Sequence, residues 1–371
     1  MNVSVKISLI LMILTQTESF AQKDDICEFK WNQLPPVPDA IGYAGSFAGV
    51  SNGALLVAGG ANFPDGGAPW TGSTKKWHDK IFVLETATGQ WKEAGKLPRP
   101  LGYGVSVSWK NTLICLGGSN ESGHFSDVFL LKYADGKVHI ESLPSMPKAI
   151  ANTCGAVIGD LLYVAGGTET PDAQSTENIF WSLDLSKPET ERVWKQLPSW
   201  PGASRMLSVA GAGKNAFYLF SGARLREGKR EYLKDAYKFT PSEGWSRIAD
   251  LPAPVVAAPA TAYVDNSGNL LIFGGDDGLH APVASSLREN HPGFSTKILA
   301  YNVSADTWSV AGNIATDKKQ NAASSPNEST WAPVTTSLVV WNGEVILPGG
   351  EVRPAVRTPR VLRAIPCTKN R

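Results

Sequence analysis

Near the end of this 371-residue chain, one acidic residue and three arginines follow directly after an apolar segment. The stretch reads ILPGGEVRPAVRTPRV, and its charged residues are Glu351, Arg353, Arg357 and Arg360. A carboxylate beside a guanidinium can hold an anionic substrate and exchange protons with it. The same pair could instead be a structural salt bridge, and spacing alone does not separate the two. We predict that Glu351 and Arg357 face a cavity, and that Arg353 and Arg360 are solvated or structural.

The glycine pair before Glu351 belongs to a repeated unit. Apolar runs closed by Gly-Gly recur at 53–60, 111–118, 160–167, 269–275 and 343–350, and a sixth, NAFYLFSG, has Ser221 in place of the first glycine. Most are followed by another apolar segment and a Trp-containing strand that ends in Leu-Pro. A period of about 50 residues with four short strands is typical of kelch-type blades. We therefore predict an all-β fold, a six-bladed kelch-type β-propeller, in which each Trp pins the outer strand against its own blade.

The two ends of the chain predict how the ring closes. Six glycine-closed hairpins are followed by only five outer strands, and the missing strand is FKWNQLPPVP, before the first hairpin. The N-terminal strand would therefore complete the last blade and remove free sheet edges. Cys27 and Cys367 flank this closure and would lie on adjacent strands. They are a disulfide candidate in an oxidising compartment, with two unpaired thiols as the alternative.

The first residues predict export. A single lysine precedes an apolar block from Ile7 to Leu14, and the small-x-small sequence Ser19-Phe20-Ala21 follows. The block is too short to span a bilayer, so residues 1–21 are interpreted as a signal peptide, with a buried N-terminal strand as the alternative. Residues 22–371 would then form a single propeller domain with no membrane association.

The composition limits which partners and cofactors the protein can be expected to bind. A net charge of +1 and a pI near 7.6 give no sign of a nucleic-acid-binding surface. No CxxC, HxH or HExxH pattern is present, so we predict no metal site. The sequence leaves the oligomeric state open, with a homodimer as one option.

Further site candidates follow from blade geometry, because the loop after the second strand and the linker entering the first open on the same face. The residues after the glycine pairs and on the linkers should therefore converge around the axis: Asn62, Asn120, Glu169, Arg224, Asp276, Asp277 and Glu351, with Tyr43, Tyr103, Arg205 and Trp331. Among them we predict that Asn62, Asn120, Arg205 and Arg224 bind substrate. Such a polar and aromatic set suits a small polar ligand such as a sugar acid. The long loops 61–79 and 276–295, the second with His280 and His291, either form a lid or decorate the surface.

The stretches FAGVSNGALLVAGG, GYGVSVSWKNTLICLGG and GGEVRPAVRTPRV together resemble bacterial N-acetylneuraminate epimerases, also called sialic acid mutarotases. The resemblance covers nearly the whole mature chain. It implies a periplasmic six-bladed kelch propeller that interconverts the α and β anomers of N-acetylneuraminate without a metal or organic cofactor. The Glu and Arg that the family implicates fall on Glu351 and Arg357. We hypothesise that Glu351 is the general acid/base and that Arg357 clamps the substrate carboxylate or, alternatively, stabilises charge that develops on oxygen.

The order of the blades departs from that of the better-known family members, in which the blades matching residues 46–145 come last. The chain therefore resembles a cyclically permuted branch of the family. A closed ring tolerates permutation, because the same blades remain neighbours wherever the termini fall.

The main alternative is a non-catalytic kelch propeller that binds a glycan or a protein partner, since propellers host many functions. A closed pocket that holds Glu351 and Arg357 would favour the enzyme, and a flat apolar or aromatic face would favour the binding module. A copper oxidase of the galactose oxidase type would need a Tyr/His/Cys set that five scattered histidines do not provide. A sialidase would need a tyrosine nucleophile and three arginines around the carboxylate. The sequence therefore favours neither of these two enzymes.

Overall fold

Six four-stranded antiparallel sheets make up the structure, a computed structural model that describes residues 29–367. The innermost strands of neighbouring sheets contact one another around a common axis, and the innermost strand of the last sheet contacts that of the first. The protein is therefore a six-bladed β-propeller, as the sequence predicts. The predicted signal peptide, residues 1–21, lies outside the described residues.

The blades are numbered along the chain, and their strands run from the axis outwards. Blade 1 comprises Phe47–Ser51, Ala54–Ala58, Lys80–Leu84 and Lys92–Lys96, and blade 2 comprises Val105–Trp109, Thr112–Leu116, Val128–Ala134 and Lys137–Leu143. Blade 3 comprises Cys154–Ile158, Leu161–Ala165, Phe180–Asp184 and Lys195–Gln196, and blade 4 comprises Val209–Gly213, Ala216–Arg226, Lys229–Thr240 and Gly244–Ile248. Blade 5 comprises Tyr263–Val264, Leu270–Phe273, Lys297–Asn302 and Thr307–Asn313, and blade 6 comprises Val339–Trp341, Glu344–Pro348, Val361–Pro366 and Phe29–Leu34.

Short elements lie between the second and third strands of several blades. Three two-stranded hairpins pair Ala61–Asn62 with Lys76–Trp77, Ser119–Asn120 with Gly123–His124, and Glu351–Arg353 with Val356–Arg357. The helices are the 3₁₀ turns Pro69–Thr71, Glu189–Glu191, Ala281–Val283, Arg288–Asn290 and Pro326–Glu328, and the α-helical turn Ala284–Leu287. Within residues 29–367, no helix is long and apolar enough to cross a membrane.

The glycine pairs let neighbouring backbones approach closely near the axis. Gly118 has φ +101°, and a Cβ atom there would lie 2.6 Å from the carbonyl oxygen of Gly102 on the entering linker. In blade 4 the first glycine is replaced by Ser221, which still adopts φ +54°. Its hydroxyl donates a hydrogen bond to the carbonyl of Leu233 and accepts one from the amide of Val255. These hydrogen bonds help to hold a non-glycine residue in the left-handed region.

The tryptophans of the outer strands connect neighbouring blades. The indole N–H of Trp194 donates to the carbonyl of Pro144 in the preceding blade, and that of Trp245 donates in the same way to Pro198. Trp91 reaches Pro35 across the closure of the ring. The prediction that each Trp pins the outer strand against its own blade therefore describes only part of its contacts. The indole N–H also binds the preceding blade.

The N-terminal strand completes blade 6, as the sequence predicts. All six residues of Phe29–Leu34 pair with Val361–Pro366, and this sheet also contains Glu344–Pro348 and Val339–Trp341. Cys367, just after the paired segment, is exposed. The predicted disulfide depends on Cys27, which lies outside the described residues.

A second ring, made of backbone hydrogen bonds, closes around the axis. Each linker that enters a blade places one residue in the left-handed conformation, with φ between 53° and 69°: Gly45, Tyr103, Asn152, Leu207, Ala257 and Thr335. The amide of each donates to the carbonyl of the preceding one at 2.7–2.9 Å, and the amide of Gly45 donates to Thr335. Left-handed backbone is costly for non-glycine residues, so the closed ring must hold them there.

Candidate functional site

A cavity of about 950 Å³ opens on the axis, on the face where the glycine-closed hairpins end. Its floor is the backbone ring, because five ring residues line it: Tyr103, Asn152, Leu207, Ala257 and Thr335. This volume lies in the range of about 300–1,000 Å³ that is usual for small-molecule sites. A smaller cavity of about 80 Å³ lies beneath the ring, is lined mostly by small residues, and is too small for a sugar.

Glu351 and Arg357 both line the large cavity, as predicted. They are paired residues of the short hairpin that follows the glycine pair of blade 6. Glu351 Oε2 lies 3.8 Å from Arg357 Nη2, and the other carboxylate oxygen accepts a hydrogen bond from the amide of Ala355 at 2.9 Å. The side chain of Glu351 is 21% exposed, so this carboxylate is anchored at one oxygen and accessible from the cavity.

The guanidinium of Arg357 is almost completely buried and only partly satisfied. Its side chain is 3% exposed, Nη2 donates to the hydroxyl of Tyr103 at 3.3 Å, and Cζ lies over the ring of Phe63 at 4.8 Å from the centroid. Nε and Nη1 have no hydrogen-bond partner among the described residues. Burial alone would lower the pKa of Arg357, but Glu351 and Tyr103 outweigh it and raise that pKa. A charged group with two unused donors is suited to bind an anion.

A second carboxylate, Asp276, occupies the position in blade 5 that corresponds to Glu351 in blade 6. Each of the two forms an isolated bridge with the entering linker, Asp276 with Val256 and Glu351 with Val334. Asp276 Oδ2 accepts a hydrogen bond from the hydroxyl of Tyr232 at 2.7 Å. Burial, together with this bond, raises the pKa of Tyr232 to about 12. Tyr232 is therefore a neutral hydrogen-bond donor at the cavity wall.

The remaining charges make the cavity positive. The long second and third strands of blade 4 form a hairpin that brings Lys229 and Arg230 to the lining, and Lys75 joins them from the first long loop. Together with Arg357, four cations face the two carboxylates of Asp276 and Glu351. This excess favours a negatively charged ligand.

The two long loops cover the cavity from one side, which supports the lid interpretation over surface decoration. Pro69 and Trp70 from the first loop line it, as do Ala281 and His291 from the second. The loops also contact each other, because the indole N–H of Trp70 donates to Glu289 Oε1 at 2.8 Å.

The structure does not bring the four predicted substrate-binding residues to the lining of this cavity. The side-chain amide of Asn62 donates to the carbonyl of Gly42, and that of Asn120 donates to the carbonyl of Pro100. Arg224 faces Glu231 on its own hairpin at 4.0 Å. Their role as substrate ligands stays a prediction that the geometry does not support.

Arg205, the fourth of these residues, has a structural environment. Its side chain is 0% exposed, with Nη2 2.7 Å from Asp235 Oδ2. Nη1 donates to the carbonyl of Ser221 at 3.0 Å and Nε to that of Ala203 at 3.1 Å. Three directions of the guanidinium are thus occupied by the protein itself.

Arg353 and Arg360 also have structural surroundings. Arg353 donates to the backbone carbonyls of Glu289, Ala322 and Ala323, and so joins the second lid loop to the linker between blades 5 and 6. Arg360 donates to the carbonyls of Asn327, Glu328 and Ser329 on that linker.

Of the remaining candidates, Tyr103 and Asp276 line the cavity, whereas Tyr43, Glu169, Asp277 and Trp331 do not. Tyr43 packs beside His78, with ring centroids 4.8 Å apart. Trp331 donates to Pro326 and lies under Arg353. Glu169 forms an exposed ion pair with Lys148.

Tyr232, Lys229 and Arg230 line the cavity but are not among the residues predicted from the sequence. The signal that could have found them is length, since the second and third strands of blade 4 have 11 and 12 residues and extend beyond those of the other blades. Across residues 29–367, no group of three or more His, Cys, Asp or Glu side chains is placed to hold a metal ion.

The fold and the cavity define a class of protein: a six-bladed propeller with a carboxylate and an unsatisfied guanidinium in a positive axial cavity. A family profile described as N-acetylneuraminate epimerase matches residues 15–140 and 143–280. These segments cover more than half of the chain, and the chain belongs to the N-acetylneuraminate epimerase family. Glu351 and Arg357 lie outside the matched segments, so their roles rest on the geometry.

Individual relatives match over a shorter part. An N-acetylneuraminate epimerase from Salmonella arizonae is 41% identical over 130 residues, which cover 32% of this chain and 33% of that protein. One from Yersinia enterocolitica is 41% identical over 129 residues, which cover 31% and 32%. The match thus spans about a third of the length of these relatives. A solved structure titled "Structure of YjhT" superimposes with a TM-score of 0.63 at 15% identity, over 89% of this chain and 96% of that one, and supports the fold.

Proposed function

We propose that the protein is a mutarotase that interconverts the α and β anomers of N-acetylneuraminate. The observation that carries this proposal is the pair formed by Glu351 and Arg357 in the cavity. The carboxylate is accessible and next to a buried cation with two free donors. One group can exchange a proton while the other holds the carboxylate of the sugar acid.

The reaction needs a proton to leave the anomeric hydroxyl and another to reach the ring oxygen. Glu351 takes the proton of the anomeric hydroxyl, and the bond between the anomeric carbon and the ring oxygen breaks. Glu351 then returns the proton to the ring oxygen, which gives the open-chain keto acid. Rotation about one carbon–carbon bond and reclosure give the other anomer. Arg357 fixes the substrate carboxylate, so that the anomeric hydroxyl stays near Glu351 during both steps. General acid–base catalysis contributes roughly 10²–10⁴-fold, which suffices for a reaction that also proceeds in water.

The excess of cations and the volume of the cavity support a sugar acid as substrate. The family membership supports N-acetylneuraminate in particular, since the matching profile and relatives carry that description. The signal-peptide interpretation of residues 1–21 supports export to the periplasm, where such an enzyme would supply the anomer that uptake or catabolism prefers.

The rival function, a propeller that only binds a glycan or a protein, fits the site less well. A binding module would present a flat apolar or aromatic face. The observed site is a cavity under two loops, with a carboxylate and a guanidinium in its wall.

The test is anomer exchange of N-acetylneuraminate, followed by NMR with the wild-type protein and with Glu351→Gln. The glutamine keeps an oxygen that accepts from Ala355 but cannot take up the proton. We expect the acceleration over buffer to fall by roughly 10²–10⁴-fold. Glu344→Gln is the control, because Glu344 lies in the same blade, outside the cavity, and pairs with Arg363.

Three outcomes are distinguishable. Loss of activity in E351Q with normal activity in E344Q supports the mechanism. Full activity in E351Q removes Glu351 as the acid/base while keeping the mutarotase. A folded wild-type protein that leaves the exchange at the buffer rate refutes the proposed function.

A further inference from the structure

The cavity contains a buried titratable group that the mechanism above does not use. His291 lies on the second lid loop, is 5% exposed and lines the cavity. Its ring packs between His280 and Phe294, with centroid distances of 5.5 and 5.6 Å. His291 is therefore a buried group in the wall of the cavity.

The local backbone fixes which nitrogen carries the proton. The amide N–H of Gly293 donates a hydrogen bond to Nδ1 of His291 at 3.1 Å. A nitrogen that accepts from an amide carries no hydrogen, so the proton of the neutral ring is on Nε2. His291 is thus arranged as a hydrogen-bond donor at its far nitrogen.

The surroundings also keep the ring neutral. Burial and the neighbouring His280 lower the pKa of His291, and Arg353 acts in the same direction. The carboxylates of Asp276 and Glu351 oppose this shift without reversing it. His280 is on the lid loop itself, and Asp276 directly follows the glycine pair of blade 5. Arg353 and Glu351 are on the short hairpin of blade 6.

The segment that carries His291 is attached to the hairpin that carries Glu351. Arg353 donates to the carbonyl of Glu289, two residues before His291. Two residues after it, Gly293 is so close to Trp331 and Val352 that an added Cβ would lie 2.8 Å from the ring and 3.4 Å from the Val352 carbonyl oxygen. His291 therefore approaches the cavity from the side of the Glu351 hairpin.

We propose that His291 is a further catalytic residue of the mutarotation, and that its Nε2–H binds the ring oxygen of the sugar during ring opening. This inference rests on the proposed function. As Glu351 removes the anomeric proton, the oxygen–hydrogen electron pair forms the keto group and the carbon–oxygen ring bond breaks. Its electron pair goes to the ring oxygen, where the Nε2–H hydrogen bond stabilises the growing negative charge.

The proton then returns from Glu351 to the ring oxygen, so the open-chain acid carries the same charge as the ring form. Reclosure reverses these steps on the other face of the keto group. A neutral donor suits this role, because it strengthens its bond as the charge develops and does not have to give up its own proton.

Two substitutions separate the donor from the structural acceptor. His291→Asn keeps an oxygen near the position of Nδ1, which can still accept from Gly293, but loses the far donor. His291→Gln places an amide nitrogen near the position of Nε2. We expect kcat for anomer exchange to fall about 10²-fold in H291N, with KM little changed, as for loss of one oxyanion donor. H291Q should recover at least tenfold of that loss.

A spectroscopic measurement covers the case in which a variant folds poorly. The imidazole ¹⁵N signals of the wild-type protein should show the neutral Nε2–H form at pH 7. Addition of the methyl ketoside of N-acetylneuraminate, whose blocked anomeric oxygen prevents ring opening, should shift the Nε2 signal. A purely structural histidine would show the tautomer but no such shift.

The outcomes distinguish this inference from the function on which it rests. A wild-type protein that does not accelerate exchange refutes both. An active wild-type protein with full activity in H291N, or with no Nε2 shift on ketoside binding, refutes the role of His291 alone. Loss in H291N with recovery in H291Q establishes it.

Discussion

Replacing Arg357 by methionine should abolish most of the activity without weakening the fold. If Arg357 formed a structural salt bridge, the same substitution would weaken the fold and leave the activity unchanged. The two roles can be separated because the guanidinium of Arg357 is 3% exposed and yet leaves Nε and Nη1 without partners among residues 29–367. Such a group gains two further hydrogen bonds when an anion binds.

The loss of activity follows from the two free donors. A hydrogen bond to a charged group contributes about 1.5–3 kcal/mol, so two such bonds to the substrate carboxylate contribute about 3–6 kcal/mol. Since about 1.4 kcal/mol corresponds to a factor of ten, kcat/KM of Arg357→Met should fall by roughly 10²–10⁴-fold.

The stability should change little. The contact with Glu351 is long, at 3.8 Å, and that carboxylate keeps access to water. Methionine can retain part of the packing against Phe63, and its apolar side chain needs no hydrogen-bond partner in this buried position. The free energy of unfolding should therefore stay within about 1 kcal/mol of the wild-type value.

Arg205→Met is the matched control. Arg205 is equally buried, but Asp235, Ser221 and Ala203 satisfy it, and it lies outside the cavity. Its removal leaves Asp235 without its cation, which should cost about 3–5 kcal/mol. Activity per folded molecule should not change.

Urea unfolding gives the stabilities, and anomer exchange of N-acetylneuraminate measured by NMR gives kcat/KM. The reasoning is refuted if Arg357→Met loses about 3–5 kcal/mol of stability, as expected for a broken buried ion pair, while it keeps its activity. The salt-bridge interpretation of the sequence would then be correct.

Two further predictions concern the fold. Burial is the largest cause that lowers the pKa of His78, His124 and His291 below the ordinary value of 6.5. Below pH 6.5 the unfolded chain therefore binds more protons than the folded protein. The free energy of unfolding should decrease as pH falls from 6.5 towards the lowered pKa values. Urea titrations at several pH values between 7.5 and 5 check this, and greater stability on acidification would contradict it. A chain that begins after Leu34 lacks the outer strand of blade 6 and exposes the edge of Val361–Pro366. It should unfold at a lower temperature and aggregate, and calorimetry with light scattering would show an unchanged transition if the closure were unimportant.

The architecture could be predicted because its signals are local and repeated. Each blade needs glycines where two backbones meet and apolar residues in its inner strands, so the pattern recurs wherever a blade recurs. Even the closure by Phe29–Leu34 follows from counting hairpins and outer strands. The blade to which each indole N–H donates could not be predicted, because Trp194 and Pro144 meet only when neighbouring blades are assembled.

The site was predicted only in part, because four of the predicted residues are one position later in the chain than the residues equivalent to Glu351. Glu351 and Asp276 directly follow their glycine pairs and bridge to the entering linkers, as do Ala61, Ser119, Thr168 and Ala223 in the other blades. Asn62, Asn120, Glu169 and Arg224 are each one residue later. Because successive side chains of an extended strand point to opposite sides, that offset separates the four from the position of Glu351.

The corrected register also explains why the site is asymmetric on a pseudo-sixfold fold. Among the six equivalent positions, only those of Asp276 and Glu351 carry a carboxylate, and these belong to the neighbouring blades 5 and 6. The two lid loops rise from blades 5 and 1, on either side of blade 6, and meet where Trp70 binds Glu289. The acid, the cation and the cover are therefore concentrated on one side of the axis. Repetition predicts the ring, but the chemistry depends on where the repeats differ.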